Sequence, residues 1–168
     1  MYNIDHETLL KHLTHIKVLL TDVDGVWTDG SLIYGKGGEE IKIFHVHDGL
    51  GIKMLLERGI NIIVVSARYS EAVQKRCLEL GVKNIYQGIQ NKAEVLDKLL
   101  RKYTPEEIAY VGDDLPDLAI FPKVGVAFAV SNAVKAVKEK AHYVTVRPGG
   151  KGALREIADL ILSVRFEA

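Results

Sequence analysis

Two aspartates, Asp22 and Asp24, stand two positions apart, one residue beyond the apolar run Val18–Leu20. In extended backbone that spacing puts both carboxylates on one side of the strand. The pair suits phosphoryl transfer. An aspartate is already ionised at neutral pH and can attack phosphorus. A second carboxyl group held nearby can protonate the leaving alkoxide. Two adjacent carboxylates also repel, which raises one pKa unless a cation lies between them. A hard divalent ion such as Mg²⁺ meets that need and screens the phosphate. The longer segment Asp22-Val23-Asp24-Gly25-Val26-Trp27-Thr28-Asp29-Gly30 is more specific than a bare pair, because it follows a buried strand and opens a turn-rich excursion.

A second acidic group, Gly112-Asp113-Asp114-Leu115-Pro116-Asp117, follows the apolar run Ile108–Val111. One of Asp113 and Asp114 can cap a helix whose first turn holds Pro116. Capping needs one acid and leaves the others over, so Asp113 is a candidate metal ligand with Asp114 and Asp117 in support. Ser66 ends another apolar run, where its hydroxyl can donate to a phosphate oxygen. Lys92 opens a helical stretch, where a cation is mildly unfavourable to the helix dipole. That mismatch favours a role in holding phosphate and orienting Asp22; alone it would read as a solvated lysine. His45 and His47 share a face of an expected strand. With no cysteine or further histidine close by to complete a zinc set, they suit hydrogen bonds to hydroxyls or a carboxylate. His6, His12 and His15 show no partners in the sequence.

The elements that position these groups follow from hydrophobic patterning. Apolar runs at Val18–Leu20, Ile60–Val65, Asn84–Tyr86, Ile108–Val111, Val124–Val130 and Tyr143–Val146 alternate with helical stretches at Asp48–Glu57, Ser70–Leu80, Asn91–Lys102, Leu115–Phe121, Ala133–Lys138 and Lys151–Ser163. Continuous apolar strands are buried on both faces, which predicts an α/β, doubly wound, mainly parallel sheet. Residues 30–45 interrupt the alternation with two strand-like pieces around Gly35–Gly38, a β-hairpin flap at the carboxyl edge of the first strand. The expectation is one domain over residues 1–168 carrying this insertion.

The order Asp22/Asp24, Ser66, Lys92, Gly112-Asp113-Asp114-Leu115-Pro116-Asp117 resembles the haloacid dehalogenase superfamily over nearly the whole chain. The resemblance implies a Rossmann-like core, Asp22 as nucleophile and Asp24 as general acid and base. It also implies Mg²⁺ held by the Asp22 side chain, the Asp24 backbone carbonyl and Asp113. The short hairpin and the absence of an extra domain between Ser66 and Lys92 match members without a large cap. Asp22–Gly30, Phe44–Lys53, Tyr86-Gln87-Gly88 and Gly149–Gly152 are similar to the 3-deoxy-D-manno-octulosonate 8-phosphate phosphatases of lipopolysaccharide sugar synthesis. That similarity implies a homotetramer and puts His45, Val46, His47, Asp48, Gly49, Lys53, Arg68, Arg76 and Lys92 at substrate-contacting positions. It also implies that Arg147–Gly152, otherwise a basic glycine-rich loop, reaches a neighbour's active site with Arg155 as anchor. Family members often carry Arg where His47 stands and Asn where His45 stands. A nine-carbon keto-sugar-acid 9-phosphate is the alternative substrate.

The remaining features exclude other classes. Lysine plus arginine and aspartate plus glutamate both total 22, so no basic field draws nucleic acid or anionic membrane. No run approaches about 18 apolar residues, and the N-terminus lacks a signal-peptide pattern. Cys77 is the only cysteine, so no disulfide forms within the chain; a cytoplasmic location is expected. An EF-hand requires an oxygen ligand and a glycine where Val26 and Trp27 stand. A receiver-like signalling domain places its phosphorylated aspartate after a middle strand, where this chain has Ser66. Asp22, Asp24, Lys92 and Asp113 together argue against a silent binding domain.

Overall fold

The computed structural model describes residues 3–166. Six strands form one parallel sheet: β1 (Val18–Thr21), β4 (Asn61–Ser66), β5 (Asn84–Gln87), β6 (Ile108–Gly112), β7 (Val126–Ala129) and β8 (Tyr143–Val144). Their order is β5-β4-β1-β6-β7-β8. The chain therefore winds outward from β1 in both directions, and the crevice lies at the carboxyl ends beside β1. Thr21, the last residue of β1, pairs with Val64 on one side and Val111 on the other; β4 runs on to Ser66 and β6 to Gly112 at the same edge. Helices α2 (Val46–Glu57), α3 (Glu71–Leu80), α4 (Ala93–Leu99) and α5 (Lys135–Lys140) lie in connections between strands, and α6 (Ala153–Phe166) follows β8. The doubly wound α/β expectation holds.

The expected hairpin forms a separate two-stranded antiparallel sheet, β2 (Ile33–Tyr34) with β3 (Glu40–Ile41). Residues 46–47, expected in strand, begin α2 instead, with His45 as its N-cap. His45 and His47 consequently do not share a strand face; their rings meet edge to face at 5.0 Å.

An additional helix, α1 (His6–Leu13), precedes the sheet and is capped by the Asp5 carboxylate, which accepts from Thr8 N. Leu9 and Leu13 are fully buried, each stabilising by about 1.5–3 kcal/mol. The N-terminal histidines do have partners: His15 Nδ1 lies 3.1 Å from Lys11 O, and His12 meets the His142 ring.

The stretch expected as a helix over Leu115–Phe121 is instead two 3₁₀ turns, Leu115–Ala119 and Phe121–Lys123. Pro116 and Pro122 remove backbone donors there. Asp117 accepts the N–H groups of Asp113 and Asp114 at 2.8 and 3.1 Å, which draws the turn tight.

Candidate active site

The carboxyl ends of β1, β4 and β6, and the segment that follows β5, bring one group each to the crevice. Asp22 follows β1 and is held by its N–H donating to Val111 O at 3.1 Å. Its Oδ1 accepts from Val23 N at 2.7 Å. Ser66 closes β4, Asp113 follows β6, and Lys92 caps α4 after β5. All four line one cleft of about 360 Å³, within the ordinary range for a small-molecule site. Gln90, Gly30 and Pro116 line it too, and nothing in their residue types marks them as chemical groups of the site.

Lys92 is the electrostatic centre. Its Nζ lies 2.6 Å from Asp22 Oδ2 and 2.8 Å from Asp117 Oδ1, with all three side chains nearly shut off from solvent. Burial opposes its charge, but the two carboxylates outweigh burial and raise its pKa. Asp117 has no free oxygen. Oδ1 accepts from Lys92 and from Tyr110 Oη, the latter at 2.5 Å, and Oδ2 takes the Asp113 and Asp114 N–H groups. Tyr110 is a positioning group that patterning alone classes as core.

Burial pushes Asp22 up to about 6 against the pull of Lys92. Asp113 is pushed up to about 8 by burial and then by the Asp22 charge. Carboxylate oxygens of Asp22, Asp113 and Asp117 lie within 4.8 Å of one another. Since Asp117 is fully engaged, Asp22 and Asp113 are the pair with capacity left. Two crowded, desolvated carboxylates at this distance are what a hard divalent cation relieves, so the residues fit such an ion. Gly25 makes room for the arrangement: its φ is +85°, and a Cβ there would sit 2.0 Å from Asp113 Oδ2.

Asp24 lines the same cleft but turns its carboxylate to the flap. Lys42 Nζ grips Oδ1, and Arg68 Nε lies 3.7 Å from Oδ2. Glu40 bonds Arg68 at 2.6 Å and pairs with Lys42 at 2.7 Å. The sequence marked neither Lys42 nor Glu40, because nothing local shows that a hairpin lysine folds back onto the first strand's loop.

Other expected substrate contacts lie elsewhere in their own chain. Asp48 is buried, its carboxylate accepting Gly152 N at 3.1 Å and Arg155 N at 2.9 Å. It ties α2 to the start of α6 and is not available to substrate. Gly49 is buried against the Arg76 side chain. Val46 and Lys53 are exposed on α2, and Arg76 pairs with Glu79 on α3. His47 opens on a second cleft with Arg147 and Arg155. Of the substrate-contacting set, only Arg68 and Lys92 reach the catalytic cleft of this chain.

The glycine loop packs against its own chain. Gly149 and Gly150 are buried against their own chain: Gly150 N donates to Val26 O at 2.9 Å, and a Cβ on Gly149 would meet Gly25 O at 1.7 Å. Glu156, not Arg155, anchors the loop by accepting Val146 N and Arg147 N. The glycines thus let the last loop buttress the Asp22–Gly30 turn.

A family model described as haloacid dehalogenase-like hydrolase matches residues 83–157. The chain is 43% identical over 150 residues to the 3-deoxy-D-manno-octulosonate 8-phosphate phosphatase KdsC of Escherichia coli K12, covering 88% of this chain and 80% of that protein. It superimposes with a TM-score of 0.93, at 37% identity, on the corresponding phosphatase of Moraxella catarrhalis, solved with magnesium, phosphate and KDO. That match covers 96% of this chain and 94% of the other. The cobalt-bound phosphatase of Haemophilus influenzae gives a TM-score of 0.88 at 43% identity, over 94% of this chain and 96% of that one. By fold, motif order and this identity, the chain belongs to the 3-deoxy-D-manno-octulosonate 8-phosphate phosphatase family of the haloacid dehalogenase-like hydrolases.

Proposed function

We propose that this protein hydrolyses 3-deoxy-D-manno-octulosonate 8-phosphate to the free sugar acid and phosphate, through an aspartyl-phosphate on Asp22, in lipopolysaccharide sugar synthesis. The observation that carries the chemistry is the buried Asp22, flanked by Lys92 at 2.6 Å and facing Asp113. The substrate is supported by the relatives named above.

Lys92 and the Ser66 hydroxyl hold phosphate oxygens over Asp22. An Asp22 oxygen attacks phosphorus, and the bond to the sugar oxygen breaks as Asp24 passes that oxygen a proton. Asp24, now ionised, takes a proton from water as the water oxygen attacks phosphorus. Phosphate leaves and the Asp22 carboxylate is restored. Asp22, Asp113 and the Asp24 backbone carbonyl would hold Mg²⁺, which would supply charge neutralisation of the phosphoryl group. Positioning and charge carry most of the rate.

The assembly reading is a homotetramer built on the flaps. Its support is the exposed apolar set Leu32, Ile33, Ile41, Ile43, Val46 and Leu50, a patch of the kind that marks an interface. For Lys53, Arg76 or His47 to touch substrate, they must do so in a neighbour's cleft. Sedimentation showing a fully active monomer would refute this. A single domain in the cytoplasm completes the reading; one continuous apolar core and the lone Cys77 thiol accord with it. Among the described residues no helix is long and apolar enough to cross a membrane.

The test is phosphate release from a panel of sugar phosphates with Mg²⁺ and with EDTA. Mg²⁺-dependent preference for the eight-carbon acid over a nine-carbon keto-acid 9-phosphate is the expected outcome. The reverse preference would discard the substrate and keep the phosphatase. No release from any member would discard the phosphatase.

A further inference from the structure

Asp24, Lys42, Glu40 and Arg68 form a closed ring of alternating charge. Lys42 Nζ bridges Asp24 Oδ1 and Glu40 Oε1; Arg68 bridges Glu40 Oε2 and Asp24 Oδ2. The ring joins three pieces of chain: the turn after β1, the flap, and the loop after β4. Lys42 is unusual within it. Its side chain is 2% exposed although it sits at the base of a projecting hairpin, and an amine so enclosed persists only when paired. Burial opposes its charge, but Asp24 and Glu40 outweigh burial and raise its pKa.

The two oxygens of Asp24 are held unequally. Oδ1 is gripped by Lys42, which does not line the catalytic cleft. Oδ2 is only 3.7 Å from Arg68 Nε, and Arg68 does line it, with its side chain 42% exposed. One oxygen is therefore pinned from behind the cleft, and the other is the freer one on the cleft side. An acid poised this way presents one oxygen in a fixed rotamer, which is the condition for efficient proton delivery.

We propose that Lys42 is a positioning residue that couples the flap to the proton-transfer step by fixing Asp24, with Oδ2 as the oxygen that hands its proton to the leaving sugar oxygen. This rests on the phosphatase reading above. The proton moves from Asp24 Oδ2 to the sugar oxygen as the phosphorus–oxygen bond breaks, leaving Oδ2 as carboxylate. Lys42 exchanges no proton and keeps its grip on Oδ1. In the first half-reaction, before water attacks, a loss at Lys42 should therefore be felt only where the leaving group needs a proton.

The experiment compares Lys42→Met and Lys42→Arg with wild type, in Mg²⁺, by rapid quench. Phosphoenzyme formation is followed from 3-deoxy-D-manno-octulosonate 8-phosphate. The first release of p-nitrophenol is followed from p-nitrophenyl phosphate, whose leaving group needs no proton. Lys42→Met is expected to slow the sugar phosphate about 100-fold with KM little changed, and p-nitrophenol release less than about threefold. Lys42→Arg, which keeps the charge, should recover about a tenth or more of the wild-type sugar rate. Equal losses on both substrates, or an arginine variant as slow as methionine, would make Lys42 a merely structural residue and overturn the inference. If the methionine variant does not fold, Lys42→Gln carries the same comparison. Wild-type protein that turns over neither substrate would instead refute the phosphatase reading.

Discussion

Lys92 and Asp22, 70 positions apart in sequence, meet at 2.6 Å with 6% and 11% of their side chains exposed. The ion pair holds the carboxylate at the carboxyl end of β1 in a fixed direction while keeping it charged enough to attack. Asp22→Asn preserves the shape and most hydrogen bonds but removes the nucleophile. Turnover should fall by about three orders of magnitude or more, with the melting temperature near that of wild type. Steady-state phosphate release together with circular dichroism checks this, and wild-type-like activity would remove Asp22 from the mechanism.

Lys92→Ala should behave differently, because it leaves two carboxylates buried without their cation. Breaking a buried pair by removing one partner costs about 3–5 kcal/mol. Asp117 keeps Tyr110 and two backbone donors, so the fold should survive in weakened form. Urea unfolding should show a lower midpoint with an unchanged slope, and activity should be lost with it. A midpoint equal to wild type would mean that Lys92 contributes charge to substrate only.

The metal-free protein should lose stability as pH rises. Asp113 holds its proton to about 8 in the folded state, against 3.8 ordinarily, and Asp22 to about 6. The folded chain therefore binds more protons than the unfolded one between those values. The stabilisation is complete below the unfolded pKa and disappears as pH passes through about 6 and then about 8. In EDTA the melting temperature should fall between about pH 5 and about pH 8.5, and Mg²⁺ should flatten that fall by favouring the ionised pair. A melting temperature that rises over that interval in EDTA would contradict the protonated pair.

Much of this was legible in the sequence because it is local. Continuous apolar runs betray strands buried on both faces, and residues at strand ends fall together once the sheet is parallel. Asp22, Ser66 and Asp113 stand at such strand ends, and Lys92 opens the helix after β5. What stayed hidden is long-range pairing. Asp48 reads as part of a polar, sugar-facing segment, yet its partners are backbone N–H groups at Gly152 and Arg155. Lys42 reads as a flap lysine until the hairpin folds onto Asp24. Tyr110 reads as core until its hydroxyl meets Asp117. Helix α1 had its own signal, an Asp5 cap ahead of Leu9 and Leu13.

Gly25 joins backbone geometry to metal binding, and its substitution tests that link. At φ +85°, any other residue carries left-handed strain of about 1–2 kcal/mol. A Cβ would also stand 2.0 Å from Asp113 Oδ2, so the carboxylate must leave its present position facing Asp22. Gly149 closes the other side of the turn, where its own Cβ position lies 1.7 Å from Gly25 O, so the loop has little freedom to yield instead. Gly25→Ala should therefore weaken Mg²⁺ binding by about tenfold or more, equivalent to about 1.4 kcal/mol, beyond its cost in stability. Isothermal titration with Mg²⁺ on the folded variant measures this directly. Unchanged affinity in a destabilised protein would show that Asp113 adjusts without loss and that the glycine serves the turn alone.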